Sequence, residues 1–187
     1  VAGNVETSQA LCNLLFASVG AMAAAQGTMN NLTFGDGRRQ YYETIAGGGG
    51  AGPGFPGSCG VQTHMTNSRL TDPEILEQRF PVRLERFGFR PGSGGAGRWP
   101  GGDGLEREFR FLEPLTAALL SGSRLVAPFG LEGGQDGARG AAVLTRADGS
   151  REQLQGCAQL EVKPGDRLLI ATPGGGGWGM PTEASVP

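Results

Sequence analysis

The residue types best suited to chemistry lie in the first half of the chain, on either side of the glycine-rich run at 47–54. The polar segment 61–69 follows this run and contains His64, the only histidine of the protein. An imidazole can act as an acid, a base or a metal ligand near neutral pH. Glycines let a backbone approach a bound group closely, and Arg69 can pair with a carboxylate through two parallel hydrogen bonds. This combination is typical of a small-molecule site or of a tightly closed turn system, and the sequence does not distinguish the two.

The glycine-rich runs do not predict a nucleotide site of a familiar type. The GxGxxG spacing begins at Gly47, Gly92 and Gly174, which carries little information in a chain with 35 glycines among 187 residues. Pro53 follows the first of these runs, where a dinucleotide-binding fold needs a helix. Lys163 is the sole lysine and has no glycine frame before it, so no P-loop is present.

The sequence also limits metal and nucleophile chemistry. With one histidine a multi-histidine metal centre is impossible, and we predict no metal site. A mixed site of the histidine with nearby carboxylates stays open. The carboxylates concerned are those of Glu43, Asp72 and Glu74. The GxSxG turn of serine hydrolases is absent, and the three cysteines, without a CxxC pair, favour free thiols in a reducing compartment.

Length and charge favour one cytoplasmic domain without a nucleic-acid or membrane partner. At 187 residues the chain is long enough for one packed core. We expect a single domain over 1–187, with a helix and glycine-loop part at 1–80 and a β-rich part at 81–180. The net charge of −2 gives no bias toward nucleic acid or an anionic membrane. The apolar stretch 11–25 is too short to span a bilayer.

The expected fold class is α+β, with an N-terminal helix and one short helix beside a mainly antiparallel, β-rich C-terminal half. The first helix is predicted over 5–26, with Asn4 as its cap and one buried apolar stripe. The stripe consists of Leu11, Leu14, Leu15, Ser18, Val19 and Met22. The second helix is predicted over 71–79, with Thr71 as its cap and Pro73 in its first turn.

Alternating patterns and turn residues predict the strands. An extended segment at 28–34 and a strand at 41–46 form one hairpin, and Asp148-Gly149 joins another. A bulge or bend is expected near Gly88, where the apolar alternation changes parity. Further strands are expected at 82–89, 105–111, 116–120, 124–127, 141–145, 152–154, 160–162 and 168–171, with a free tail after residue 179.

Six strings in the sequence carry a resemblance to a known family. They are GNVETSQ (3–9), GTMNN (27–31), YYETIAGGGGAGPG (41–54), THMTNSRLTDPEILEQR (63–79), RPGSGGAGRWPGGDG (90–104) and TPGGGGWG (172–179). In this order they resemble the C-terminal part of the B-type region of the hydantoinase B/5-oxoprolinase family, over nearly the whole chain. The members most similar are 5-oxoprolinases, which use ATP to open 5-oxo-L-proline to L-glutamate in glutathione metabolism. Related hydantoinases open cyclic ureides, and ketone carboxylases share the subunit type.

The resemblance implies part of an enzyme, because the family's B-type region is much longer on its N-terminal side. That region carries histidine and acidic motifs, associated with a metal in the carboxylases, which this chain lacks. ATP and Mg are implied as cofactors, bound mainly outside this chain by a hydantoinase A-like domain or subunit. Further implied partners are the missing B-type region and a small cyclic amide, and a homo-oligomer stays open. Gln62 stands where many members have a second histidine, so a role that needs two imidazoles is in doubt.

Opening an unstrained lactam requires groups that stabilise charged intermediates, and the amides of the runs 47–54 and 174–179 can supply them. The candidate catalytic residues are His64, Asn67, Arg69 and Asp72. The candidate substrate-binding residues are Asn30, Asn31, Glu43, Gly49, Gly50 and Thr66. The alternative hypothesis is a structural or assembly domain of a B-type subunit, or of a related ketone carboxylase, with no catalytic residues of its own. Its glycine-rich loops would dock against the missing regions. Under both hypotheses we expect the isolated chain to be inactive.

Overall fold

Two antiparallel sheets and two helices make up the described structure, a computed structural model that covers residues 2–27 and 29–181, without the side chains of 2–5. The helices are α1 (Ala2–Ser18) and α2 (Pro73–Arg79). The strands are β1 (Asn30–Gly35), β2 (Gln40–Thr44), β3 (Val82–Phe89), β4 (Leu105–Phe111), β5 (Leu115–Ser121), β6 (Ala141–Thr145), β7 (Arg151–Gln153), β8 (Cys157–Val162) and β9 (Arg167–Ala171). One sheet has the order β2-β1-β5-β8 and the other β3-β4-β9-β6-β7. The predicted α+β class with a β-rich C-terminal half is confirmed.

The hydrophobic core lies between the two sheets. In β4 alternate residues from Leu105 to Phe111 are buried, as the alternating pattern predicts. The ring of Phe34 in β1 meets the rings of Phe109 and Phe111 edge-on, with ring centroids 6.1 and 6.0 Å apart. Such aromatic contacts stabilise a core beyond the area that they bury, so they hold the two sheets face to face.

The predicted hairpins and the predicted irregularity in β3 are confirmed. β1 pairs with β2 so that Phe34 lies opposite Tyr41. β6 pairs with β7 across the Asp148-Gly149 turn, where Gly149 has a φ of +88°. This left-handed conformation is the one that a tight hairpin turn needs and that glycine adopts readily. The register of β3 shifts between Leu84 and Arg86, which places the bulge a few residues before Gly88.

The first helix differs from its prediction in extent. It begins at Ala2, before the predicted cap Asn4, and it ends at Ser18 rather than at residue 26. Gly20 follows with a φ of +64°, a left-handed conformation that commonly closes a helix. The prediction that the helix continues to residue 26 is therefore wrong.

The alanines at 23–25 lie in an extended segment despite their high helix propensity. The amide of Ala23 donates to the carbonyl oxygen of Ala51 at 2.8 Å, and the amide of Ala24 donates to that of Phe129 at 3.0 Å. Both alanine side chains are buried. Hydrogen bonds to distant segments and the burial of small side chains therefore outweigh the local preference for a helix.

The prediction that the apolar stripe of α1 is buried is also wrong. Leu14, Leu15 and Val19 expose 59%, 64% and 74% of their surface, whereas the polar Gln9 and Asn13 are buried. The helix packs through its polar side because these two amide side chains bond to the neighbouring loops. The apolar side of α1 is left without a partner among the described residues.

Two smaller predictions also fail. The cap of α2 is Asp72 and not Thr71, because the Asp72 carboxylate accepts hydrogen bonds from two amides of the first turn. Residues 124–127 do not form a strand, and Leu125 and Val126 are exposed there. β-branched and aliphatic residues alone do not make a strand without a neighbouring strand to pair with.

Residue 28 of the first hairpin and residues 182–187 of the tail lie outside the described residues.

The glycine-rich segments form a mesh of extended chains around residues 174–177. The four consecutive amides of this segment donate to carbonyl oxygens in three separate parts of the chain. The acceptors are Ala138, Gly102, Ala24 and Gln135. A β-strand directs its amides toward two neighbouring strands only, so this arrangement instead surrounds one backbone with others on several sides. The segments 47–52, 94–104, 130–137 and 174–177 are called the glycine mesh below.

Glycine is required in the mesh because no space remains there for a side chain. A Cβ on Gly175 would lie 1.8 Å from the carbonyl oxygen of Gly49, and a Cβ on Gly176 would lie 1.9 Å from that of Phe129. The mesh amides are also engaged, since those of Gly48 and Ala51 donate to Pro173 and Gly176. The sequence leaves open whether the run 47–54 forms a small-molecule site or a closed turn system. In the structure it forms the closed turn system.

Candidate functional site

A cleft of about 720 Å³ lies between α1 and the segment 121–129. Its α1 wall includes Gln9, Asn13 and Leu14, and the opposite wall includes Arg124 and Leu125. Small-molecule sites commonly have volumes of about 300–1,000 Å³ and combine apolar walls with a few polar groups. This cleft, called the α1 cleft below, has both properties.

The polar side of α1 is tied to the segment that follows the first glycine run. The side-chain amide of Gln9 donates to the carbonyl oxygen of Thr63 at 2.6 Å and to the hydroxyl of Thr66 at 2.5 Å. The side-chain oxygen of Asn13 accepts from the amide of Ala25 at 3.1 Å and lies 3.0 Å from Nε2 of His64. The helix therefore positions the only histidine of the chain beside the wall of the α1 cleft.

The contacts of His64 define which ring nitrogen is basic. Because the Asn13 oxygen already accepts from a backbone amide, Nε2 of His64 must donate to it, and the lone pair of the neutral ring lies on Nδ1. Burial lowers the pKa of His64 from its ordinary value, which favours this neutral form. The ring also packs against Phe16, with centroids 5.3 Å apart.

The backbone of His64 is strained. Its φ is +54°, a left-handed conformation that residues other than glycine adopt at an energetic cost. Such strain persists only where surrounding contacts hold it, and the bonds from Gln9 to Thr63 and Thr66 do so here. Strained residues of this kind are concentrated at functional sites, so the strain supports His64 as a functional residue.

Arg124 brings an unpaired positive charge to the opposite side of the α1 cleft. Its three guanidinium nitrogens each expose less than 1 Å² and have no hydrogen-bond partner in the described structure. Burial, and then the nearby charge of Arg90, lower the pKa of Arg124 to about 10, so the side chain remains protonated at neutral pH. Nothing in the pattern around residue 124 predicts this position.

The structure places Glu43 in the core instead of in a cleft. Its carboxylate lies 3.1 Å from Nε of Arg107 and accepts a hydrogen bond from the Tyr41 hydroxyl at 2.6 Å. Both members of the ion pair are almost fully buried. Burial raises the pKa of Glu43, and the charge of Arg107 opposes that shift. The contact between Glu43 and Arg107 is ionic, since the Nε group of Arg107 is not aligned for a hydrogen bond. Arg107 also donates to the carbonyl oxygen of Thr71 at 3.3 Å.

Four other candidate residues for substrate binding are buried within the fold. The side-chain amide of Asn30 bonds to Gln26, and the side-chain oxygen of Asn31 accepts from the Thr44 hydroxyl at 2.8 Å. The Gly49 amide donates to the carbonyl oxygen of Ser58 at 2.8 Å. Gly50 is packed so closely that a Cβ would lie 2.0 Å from the carbonyl oxygen of Ala23. The remaining candidate, Thr66, binds Gln9.

The other catalytic candidates are not gathered around His64. Asn67 and Arg69 are exposed, and neither of them lines the α1 cleft. Asp72 serves as the cap of α2. Sequence reasoning missed Gln9 and Asn13, although two polar residues four positions apart in the otherwise apolar stretch 9–17 of the helix do indicate a polar face.

A comparison with family profiles matches residues 1–181 to hydantoinase B/oxoprolinase. The chain belongs to this family. Curated relatives include 5-oxoprolinase 1 of Arabidopsis thaliana, which is 54% identical over 179 residues, and a 5-oxoprolinase of Dictyostelium discoideum, which is 48% identical over 180 residues. Each of these matches covers 96% of this chain but only 14% of the relative. The expected family resemblance is confirmed.

Two solved structures share the fold of this chain. An ATP-dependent caprolactamase from Pseudomonas jessenii aligns with a TM-score of 0.71 at 24% identity, covering 88% of this chain and 31% of that chain. A nucleotide-free acetone carboxylase aligns with a TM-score of 0.69 at 18% identity, covering 83% of this chain and 26% of that chain. At these identities the likeness concerns the fold.

The glycine-rich segments are not suited to bind the phosphates of a nucleoside triphosphate. Phosphate-binding loops present free amides, whereas several mesh amides donate to carbonyl oxygens of the chain itself and the mesh has no room for even a methyl group. Among residues 2–27 and 29–181 no group of three or more histidine, cysteine, aspartate or glutamate side chains has an arrangement suited to a metal ion. The same residues contain no helix long and apolar enough to cross a membrane.

Proposed function

We propose that this chain is the C-terminal part of an ATP-dependent hydrolase that opens 5-oxo-L-proline to L-glutamate. The observation that carries the proposal is the 54% identity to 5-oxoprolinase 1 of Arabidopsis thaliana over 96% of the chain. The caprolactamase named above also acts on a lactam, as its name states, and shares the fold. A hydantoin ring, which contains the same kind of amide bond, is the alternative substrate.

In this proposal His64 is the residue of this chain that moves a proton. Its Nε2 is held by Asn13, its Nδ1 carries the lone pair, and burial favours the neutral form that a base requires. Thr66 and Gln9 hold the backbone that presents it. The exposed Asn67 and Arg69 are proposed to contact the rest of the enzyme or its substrate.

The buried candidates are proposed to support the site from within the fold. Gly49 and Gly50 lie within the glycine mesh, Asn30 and Asn31 bond to Gln26 and Thr44, and Glu43 is bound in the core. We place the binding of ATP and Mg outside this chain, in a hydantoinase A-like domain or subunit, because the glycine runs do not fit phosphate. Glutathione metabolism in the cytoplasm is the setting that a 5-oxoprolinase implies.

An assembly role is a second candidate function, and a specific observation favours it. The apolar side of α1 is exposed, and the nearby Leu125 exposes 83% of its surface. Continuous apolar surface of this kind usually marks a contact with another protein or domain. We propose that the missing part of the B-type region covers it. Thus α1, and not the glycine-rich loops, is the docking element in this second function.

The test is glutamate formation coupled to ATP hydrolysis in the full-length protein, with hydantoin and a ketone as competitors of 5-oxo-L-proline. Glutamate formed in proportion to ATP hydrolysed supports the proposal. No glutamate from 5-oxo-L-proline, with turnover of hydantoin instead, would overturn it. An Asn67→Ala, Arg69→Ala variant separates the two roles proposed for these residues, since lost turnover with intact assembly indicates contact with the substrate and lost assembly indicates contact with the rest of the enzyme.

A further inference from the structure

The Arg124 guanidinium lacks a partner although it is taken out of water. All three of its nitrogens are buried and unbonded in the described structure. A buried cation without a counter-charge destabilises a folded protein, because the charge has lost its hydration without gaining a partner. A fold that retains such a group at the wall of a cleft is suited to receive an anion there.

Neighbouring arginines make it still less favourable to leave Arg124 without an anion. Arg90 lies close enough to lower the pKa of Arg124, and it donates to the carbonyl oxygens of Arg139 and Thr172 at 2.9 and 3.2 Å. Arg139 in turn donates to the carbonyl oxygen of Leu125 at 3.2 Å. In the part of the chain that the structure describes, no ion pair includes any of these three arginines. Three cations therefore lie in one region without an ion-pair partner, and the carboxylate that lines the α1 cleft, that of Glu6, is exposed and pairs with none of them.

The α1 cleft offers a route for an anion to this region. Arg124 is one of its lining residues, beside Ser121 and opposite Gln9. The hydroxyl of Ser121 and the side-chain oxygen of Gln9 are buried and without partners as well. The hydroxyl can donate to an anion, and the Gln9 oxygen can accept from a ligand amide. Apolar side chains such as Leu14 and Val126 form the rest of the walls.

We propose that the α1 cleft is a carboxylate-binding site in which Arg124 is the principal ligand. Arginine pairs with a carboxylate through two parallel hydrogen bonds, which supplies both charge and orientation. The carboxylate has two possible sources, the substrate or an acidic side chain of the rest of the full-length protein. The substrate source rests on the proposed function, because 5-oxo-L-proline carries a carboxylate beside its lactam ring.

The experiment compares Arg124→Gln with Arg151→Gln in the full-length protein. Arg151 is an exposed arginine of β7, so its substitution removes the same charge away from the cleft. The KM for 5-oxo-L-proline and the inhibition constant of 2-pyrrolidinone, the same ring without the carboxylate, are measured for each variant. The melting temperature of each full-length variant is measured in parallel. Arg124→Lys, which retains the charge without the planar fork, replaces Arg124→Gln if that variant does not fold.

For a substrate carboxylate we expect Arg124→Gln to raise the KM for 5-oxo-L-proline by about tenfold or more, with the constant for 2-pyrrolidinone unchanged. For an acidic side chain of the protein we expect unchanged constants and a melting temperature lower than that of Arg151→Gln. Equal KM values and equal melting temperatures for the two variants would overturn the carboxylate site. Absence of glutamate formation in the unmodified protein would instead refute the proposed function, and the melting temperatures would still test the site.

Discussion

At the scale of single residues, the polar groups of this chain fall into two environments. Gln9 and Asn13 lie at the wall of the α1 cleft, and Asn13 bonds to His64, which does not itself line the cleft. Glu43 and Arg107 instead meet inside the core. Residue type alone does not separate these environments, since an acid and a histidine in neighbouring polar segments both suggest chemistry. The sequence therefore predicted His64 as a site candidate for reasons that apply equally to the buried Glu43.

The first prediction concerns the pKa of His64. Burial lowers it below the ordinary 6.5, so the folded state binds fewer protons than the unfolded state as the pH falls through that value. The free energy of unfolding should therefore decrease as the pH is lowered from about 7 to about 5. As the only histidine, His64 gives one set of imidazole resonances, whose NMR titration measures the pKa directly.

The control is His64→Gln, which should weaken this pH dependence. A measured pKa above 6.5, or an identical pH dependence in the variant, would contradict the hydrogen-bonded and partly buried ring.

The second prediction concerns the buried ion pair. Glu43→Ala leaves the Arg107 guanidinium unpaired in the core, so we expect the free energy of unfolding to fall by about 3–5 kcal/mol in urea denaturation. Glu152→Ala removes an exposed acid and serves as the control. A double variant, Glu43→Leu with Arg107→Met, should recover most of the loss because no charge is left unpaired. A loss for Glu43→Ala no greater than that for Glu152→Ala would show that the pair does not stabilise the core.

At the scale of elements, the sequence pattern predicts those helices, strands and turns that depend on interactions between residues close together in the chain. The Asp148-Gly149 turn and the alternation of Leu105, Phe109 and Phe111 identify a hairpin and a strand, because turn geometry and sheet burial act over a few residues. The segment at 23–25 escaped prediction, since its extended form depends on carbonyl oxygens far along the chain. The outward apolar side of α1 was not predicted either, because apolar spacing favours burial and no described residue covers this side.

The third prediction tests the glycine mesh. A Cβ on Gly175 meets a backbone carbonyl oxygen at 1.8 Å, and a backbone cannot move aside as a flexible side chain can. We expect Gly175→Ala to lower the free energy of unfolding by about 3 kcal/mol or more, measured by urea denaturation. Gly88→Ala is the matched control, since an added Cβ there meets nothing within 4 Å. Equal stability of the two variants would mean that the mesh is not closed as described.

The fourth prediction tests the exposed side of α1. In the 187-residue chain, Leu15→Ser and Val19→Ser should change the free energy of unfolding by less than about 0.5 kcal/mol each, because both side chains are exposed. In the full-length protein the same substitutions should lower the melting temperature if the missing region covers this side. Leu144→Ser, in the core, provides the destabilised reference. Unchanged melting of the full-length variants would refute the docking role.

At the scale of the whole molecule, the glycine mesh connects the helix to both sheets. Ala23 and Ala24 follow α1 and bond into the mesh, and Thr172 follows β9 and donates to the carbonyl oxygen of Ala46 at 2.8 Å. The α1 cleft thus takes its shape from segments far apart in the sequence, and for this reason no motif predicts Arg124 as a site residue. Family strings, in contrast, were recognisable because they are long and compositionally unusual.

The central claim is that this chain supplies the C-terminal part of a 5-oxoprolinase. Its most direct test is a chimera in which the chain replaces the aligned 179 residues of Arabidopsis thaliana 5-oxoprolinase 1, with ATP-coupled glutamate formation from 5-oxo-L-proline as the measurement. We expect kcat/KM within about tenfold of the unmodified enzyme, a difference of about 1.4 kcal/mol in activation free energy. A folded chimera that hydrolyses ATP but forms no glutamate from 5-oxo-L-proline would contradict it.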